Sequence, residues 1–152
     1  MIELKIGVVY ASMSGNTEAI AERIVEELKK DHQEVFLQEV YDLTGASDLL
    51  EYDFTYIGMY TWGEGDYPDE CLELIDELEQ LDLQNHPFAI FGSGDTNYEE
   101  YCVALDNLKQ LIEGQGGAVV VEPLKIELSP DAEDEVAIET FVRKTLSSVE
   151  RV

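Results

Sequence analysis

Residues 5–24 read KIGVVYASMSGNTEAIAERI, passing from an apolar run into an amphipathic pattern through a hydroxyl-rich turn. Ile6, Val8, Val9 and Tyr10 stand in a run almost without polar residues, which predicts a strand buried on both faces, as in a parallel sheet. Thr17, Ile20, Ala21, Ile24 and Leu28 then recur at three- and four-residue spacing, which predicts a helix with one stripe toward a core. Between them lies Ser12-Met13-Ser14-Gly15-Asn16-Thr17. The first amides of the helix have no intrahelical acceptor, and the helix dipole adds partial positive charge there. Such a turn suits an anion, since Ser12, Ser14 and Thr17 add hydroxyl donors and Gly15 lets the backbone approach closely. The turn holds no lysine, and neither GxxxxGK[ST] nor GxGxxG is present, so one terminal phosphate fits better than a triphosphate or a pyrophosphate. Taken alone, the cluster also fits an ordinary capped helix.

At 152 residues the chain suits one domain over 1–152, long enough to bury roughly 70% of its unfolded surface. The opening MIELKIGVVY has no basic segment followed by a long apolar run, and no later stretch approaches ~18 apolar residues, so a cytoplasmic protein without a membrane span is expected. Cys71 and Cys102 are too few for a disulfide scaffold and are expected to be free, mostly buried thiols. With 34 acids against 9 bases, the formal charge is -25. That charge repels nucleic acid and anionic membrane and attracts basic partners. The acids crowd at Glu64 to Glu79 and Asp95 to Glu100, which suggests a docking face.

Strand and helix alternate along the rest of the chain. Glu34 to Val40 predicts a second strand near a sheet edge, Asp42 to Leu50 a short helix entered through Gly45 and capped by Ser47, and Phe54 to Tyr60 a third strand. The loop Thr61-Trp62-Gly63-Glu64-Gly65-Asp66-Tyr67-Pro68 follows, its glycines and proline opposing regular structure. Leu72, Ile75, Leu78 and Leu81 mark the next helix, Pro87 to Phe91 the fourth strand, and Gly92-Ser93-Gly94-Asp95-Thr96-Asn97-Tyr98 another loop. A helix with Leu105, Leu108 and Ile112 ends near Gly114. A last strand runs from Ala118 past Pro123 to Glu127, irregular at the proline, and Asp131 to Val149 closes the chain as a helix with Val136, Phe141, Val142 and Leu146 inward.

Five strands feeding helices imply right-handed crossovers and a doubly wound α/β fold, a parallel sheet covered on both faces. Ligands of such sheets bind beyond the carboxyl ends of the strands, where the loops 11–17, 61–68 and 92–99 converge. Trp62 and Tyr98 stand in two of these loops, either as fold-back anchors or as rings that sandwich a flat heterocycle. Such a heterocycle with one phosphate tail suggests flavin mononucleotide, FMN. His32 and His86 fall in turns at the opposite edge of the sheet and are expected to be solvated.

On these residues the chain resembles the flavodoxin family over essentially its whole length. The family's phosphate pattern [ST]-x-[ST]-G-x-T is met by residues 12–17, its T-x-G loop by Thr61-Trp62-Gly63, and its G-x-G-D loop with a stacking tyrosine by Gly92-Ser93-Gly94-Asp95 and Tyr98. The resemblance implies a five-stranded flavodoxin-like sheet of order 2-1-3-4-5. It places Trp62 and Tyr98 on the two ring faces, the Gly63–Glu64 peptide at flavin N5, and Asp95 with the main chain near Glu100 and Cys102 at the pyrimidine edge. Passage from the last strand to the final helix without a long insertion resembles the short-chain members. The resemblance implies a low-potential one-electron carrier rather than an enzyme. Its partners would be the basic surfaces of redox proteins: a flavodoxin or ferredoxin reductase as donor, and cytochrome P450-type or other reductive enzymes as acceptors. A monomer is expected, with neither nucleic acid nor membrane as partner. The rival readings are a small FMN-dependent quinone or azo reductase, a flavodoxin-like activator of a metalloenzyme, and a phosphoacceptor signalling domain. The last lacks its acids, because Ala11-Ser12 and Tyr60-Thr61 stand where it needs them.

Overall fold

Parallel pairing organises the computed structural model, which describes residues 4–12, 15–31, 34–61, 67–94, 102–127 and 131–150. Strand β1 (Lys5–Tyr10) is followed by helix α1 (Asn16–Lys30) and β2 (Glu34–Glu39). After 3₁₀ turns at Val40–Asp42 and Ala46–Glu51 come β3 (Phe54–Tyr60), a 3₁₀ turn at Asp69–Cys71 and α2 (Leu72–Leu78). Then follow β4 (Pro87–Gly94), α3 (Val103–Gly114), β5 (Ala118–Val119), β6 (Leu124–Glu127) and α4 (Ala132–Glu150). The sheet order is β2-β1-β3-β4-β5, and β6 also pairs with β4. All five pairings are parallel, as the expected flavodoxin-like order requires.

Period-two alternation along the strands divides the core between the two faces. Ile6, Val8, Phe54, Tyr56 and Phe91 pack with Ile20, Ile24 and Leu28 of α1 and with Ile138 and Phe141 of α4. Val9, Ile57, Met59 and Ile90 pack with Leu74, Ile75 and Leu78 of α2 and with Leu105, Leu108 and Ile112 of α3. Each fully buried Ile or Leu contributes roughly 1.5–3 kcal/mol of transfer free energy. Polar groups in this interior are paired. Thr145 donates to the Val142 carbonyl (2.7 Å), so its oxygen is left to accept from the Tyr56 hydroxyl in β3.

Several local expectations are corrected by tertiary packing. The fourth strand continues three residues beyond Phe91, and Gly92, Ser93 and Gly94 are strand rather than loop; Ser93 stands in register with Tyr60. Gly92 permits this, because a Cβ there would overlap the Met59 carbonyl oxygen and press on Leu105. The last strand is two short pieces, β5 and β6, broken around Pro123, which has no N–H for a ladder. Ser47 caps nothing: Gly45 holds the N-terminal position of its 3₁₀ turn, and the Ala46 amide donates to Glu77 of α2 (2.7 Å). Leu72 is 48% and Val136 62% exposed, so the stripes of α2 and α4 run through Leu74, Ile75 and Leu78 and through Ile138, Phe141 and Val142. Leu81 lies beyond the end of α2 and packs half-buried against the core.

His86 is not a solvated histidine. It is half-buried, edge-on to Phe88, with Nε2 2.9 Å from Thr55 Oγ1. The Thr55 hydroxyl spends its hydrogen on the Leu49 carbonyl (2.6 Å), so the imidazole donates from Nε2 and a further proton goes to Nδ1. His32 lies outside the described residues.

Burial lowers the His86 pKa from its ordinary 6.5, against the opposing pull of Asp53. A lowered folded value means that the unfolded chain binds the proton first on acidification. This contribution to stability is therefore complete above about pH 6.5 and is lost as the pH falls toward the folded value. Urea unfolding at a series of pH values is expected to show the wild type losing stability relative to His86→Gln between pH 7 and pH 5. A pH-independent gap between the two would mean that His86 titrates as in the unfolded chain.

Candidate functional site

Strand order reverses between β1, which continues through α1 to β2 on one side, and β3 on the other. This switch point is where a doubly wound sheet opens a crevice at the carboxyl ends of its strands. The ends of three strands meet there, β1 at Tyr10, β3 at Tyr60 and β4 at Gly94. The crossing is tightened by the Ala11 amide, which donates to the Gly58 carbonyl (3.0 Å).

The turn into α1 is built on Gly15, whose φ of 89° lies in the left-handed region that favours glycine. Open space surrounds the place where a Cβ would stand. The Gly15 amide donates to Ser12 Oγ (3.1 Å), leaving the Ser12 hydroxyl hydrogen to point elsewhere. Helical bonding begins with the Ala19 amide on the Gly15 carbonyl (3.0 Å), so the amides of Asn16, Thr17 and Glu18 precede the helical ladder. Thr17 is 1% and Ser93 3% exposed, and their hydroxyl oxygens lie 2.7 Å apart. Glu18, the acid of this first turn, accepts from the Tyr10 hydroxyl (2.9 Å), which also lies 3.3 Å from Glu39. Burial, then the bond and charge of Glu18, raise the Tyr10 pKa and keep its proton in place.

Ser93 and Thr61 link this turn to the other two segments. The Thr61 amide donates to the Ser93 carbonyl (3.3 Å), and Thr61 Oγ1 accepts from the Ala104 amide in the first turn of α3 (3.3 Å). Cys102 precedes that helix with φ 53° and ψ 22°, a left-handed conformation uncommon outside glycine, asparagine and aspartate. The residue is fully buried. Gly94 closes β4, half-buried. Beside this edge, the Tyr60 hydroxyl donates to Glu70 (2.9 Å). Burial, with the charge of Glu70, pushes the Cys71 thiol up to about 12, an inert group rather than a nucleophile. Both cysteines are free and buried, as expected.

The structure thus brings Ser12, Gly15, Asn16, Thr17, Thr61, Ser93, Gly94 and Cys102 to one edge. Met13, Ser14, Trp62, Gly63, Glu64, Asp95, Tyr98 and Glu100 lie outside the described residues. The links Thr17–Ser93, Thr61–Ala104 and Tyr10–Glu18 were not foreseen. One signal for the first was present: a threonine in an apolar helical stripe must bond its buried hydroxyl. Amides, hydroxyls and an open glycine turn, with no Lys or Arg in residues 11–17, fit the phosphate of FMN, a single dianion, better than a polyphosphate. Among the described residues no group of His, Cys, Asp and Glu is suited to a metal ion.

The profile of the flavodoxin family matches residues 8–141. Probable flavodoxin 2 of Bacillus subtilis (strain 168) is 44% identical over 140 residues, which are 92% of this chain and 93% of that protein. The crystal structure of oxidised flavodoxin 2 from Bacillus cereus has a TM-score of 0.89 and 43% identity, covering 94% of this chain and 98% of its own. That of oxidised flavodoxin 1 from Bacillus cereus has a TM-score of 0.89 and 38% identity, covering 94% and 97%. With this fold, this crevice and these relatives, the chain belongs to the flavodoxin family in its short-chain form, as a low-potential carrier of electrons that binds FMN and is not an enzyme.

Proposed function

We propose that residues 12–17 seat the FMN phosphate on the amides of Asn16, Thr17 and Glu18 and the hydroxyls of Ser12, Ser14 and Thr17. Thr61 to Glu64 and Ser93 to Tyr98 hold the ring between Trp62 and Tyr98, with Asp95, Glu100 and Cys102 at its pyrimidine edge. The observation that carries this seat is the buried Thr17 hydroxyl at the mouth of an open, left-handed glycine turn. Bound FMN supplies the one-electron chemistry. The chain binds it, orients it and sets the charge around it.

That charge is one-sided. The loops 61–68 and 92–99 contain acids and no Lys or Arg, and a groove at the start of α2 is lined by Tyr41, Asp69, Glu70, Glu73 and Glu77. This face is proposed to meet basic surfaces of redox proteins, a flavodoxin or ferredoxin reductase as donor and cytochrome P450-type or other reductive enzymes as acceptors. Opposite charge would speed and orient those encounters. The whole of 1–152 is proposed to work as one domain and as a monomer. Free, buried Cys71 and Cys102 support a reducing compartment, the cytoplasm. No helix among the described residues is long and apolar enough to cross a membrane.

Thr17→Ala is expected to weaken FMN binding by roughly 1.5–3 kcal/mol, the range for a hydrogen bond to a charged group, while leaving riboflavin binding nearly unchanged. Fluorescence titration with both ligands measures this, and equal losses for the two would remove the phosphate from the turn. Neutralising Glu64, Asp66, Glu99 and Glu100 together is expected to raise the second one-electron potential of bound FMN, on the order of ten to a few tens of millivolts per acid. The first potential should move much less, and reduction of a basic acceptor such as cytochrome c should slow. Potentials that do not move at low ionic strength would leave ring stacking and desolvation as the controlling terms.

A further inference from the structure

Ser93 is buried, at 3% exposure, beside Thr17 at 1%. What it does touch is informative. Its oxygen lies 2.7 Å from Thr17 Oγ1, and its carbonyl accepts from the Thr61 amide. Within the hydroxyl pair either oxygen can be the donor, and the two directions differ for an anion in the turn. If Thr17 donates to Ser93, only oxygen lone pairs of Thr17 face the anion, and they repel it. If Ser93 donates to Thr17, the Thr17 hydrogen is released to the anion, and the relay Ser93 O–H to Thr17 O–H to anion is polarised along its length.

We propose that Ser93 is a positioning residue that fixes Thr17 as a phosphate donor, so that the chain distinguishes FMN from its unphosphorylated form partly through a residue that does not touch the phosphate. This rests on the assignment of the phosphate to residues 12–17. It recasts Ser93 from a cofactor contact to a group acting through Thr17. The position at the end of β4, in register with Tyr60, also explains why a serine suits a site otherwise walled by apolar residues. Its side chain lies on the α1 face of the sheet and reaches Thr17.

The test is a double-mutant cycle of Ser93→Ala, Thr17→Ala and the pair, with dissociation constants for FMN and riboflavin measured on the apoprotein. Thermal melts should first show that each variant folds. Ser93→Ala is expected to weaken FMN about 3- to 10-fold, the equivalent of one neutral hydrogen bond, and riboflavin less than about 2-fold. On the Thr17→Ala background the same change should cost FMN less than about 2-fold, since the relay is already broken. Equal losses for FMN and riboflavin, or losses that add fully with those of Thr17→Ala, would overturn the relay and leave Ser93 a packing residue. A wild type that binds both ligands equally would overturn the phosphate assignment itself, a different result from failure of the relay alone.

Discussion

In the proposed seat, a dianion bound by a chain of formal charge -25, with no Lys or Arg in residues 11–17, is held by short-range donors against long-range repulsion. The magnitudes allow it. An exposed carboxylate ~10 Å away opposes a second charge by roughly 0.4 kcal/mol in water and about 1.7 kcal/mol at an effective dielectric of 20, before salt reduces it. One hydrogen bond to a charged group contributes about 1.5–3 kcal/mol. Three amides ahead of the α1 ladder and a few hydroxyls therefore outweigh several distant acids, provided that the donors are aimed before the ligand arrives. The buried Thr17 hydroxyl, bonded to Ser93, is held in place in that way. Glu18, the one acid in the first turn, is drawn to Tyr10.

The same bond joins site to fold. Ser93 belongs to a strand paired to β3 along its length, and β3 delivers Thr61, whose hydroxyl receives the first turn of α3. Strand ends, helix start and the turn into α1 are thus held by hydrogen bonds of backbone or short side chains. The few bases serve elsewhere. Arg23 holds Glu27 within α1 (2.6 Å) and ties α1 to α4 through Glu139 (3.0 Å), and Lys109 and Lys125 pair with Glu122 and Asp106. The exposed lysine pairs add little stability. All of these bases stand outside residues 11–17.

Where one local pattern decided the structure, the sequence was readable: Phe54 to Tyr60 is a strand within the expected bounds, and Asn16 to Lys30 is the expected helix. Where burial depended on a neighbour, it was not. Leu72 and Val136 have the right spacing but lie where no second layer covers them. His86 looked like a turn residue, yet Thr55 on the preceding strand, 31 positions earlier, supplies its partner. Within the site, the chemistry of 12–17 was legible from residue types alone, while the Thr17–Ser93 bond spans 76 positions and could only come from the sheet order. Ser93 read as loop because Gly92 and Gly94 flank it. Gly92 instead lets the strand run on against Met59 and Leu105.

The donor-only phosphate seat is tested most directly by phosphorus NMR of the FMN-loaded protein as a function of pH. Donors that bond the charged form lower a group's pKa, whereas a phosphate monoester exposed to solvent, or dominated by the surrounding acids, takes up its proton near or above about pH 6. The bound phosphate is expected to keep its dianion signal from pH 8 down to pH 5. A signal that titrates at or above the value of free FMN would contradict a seat built from amides and hydroxyls aimed at the dianion.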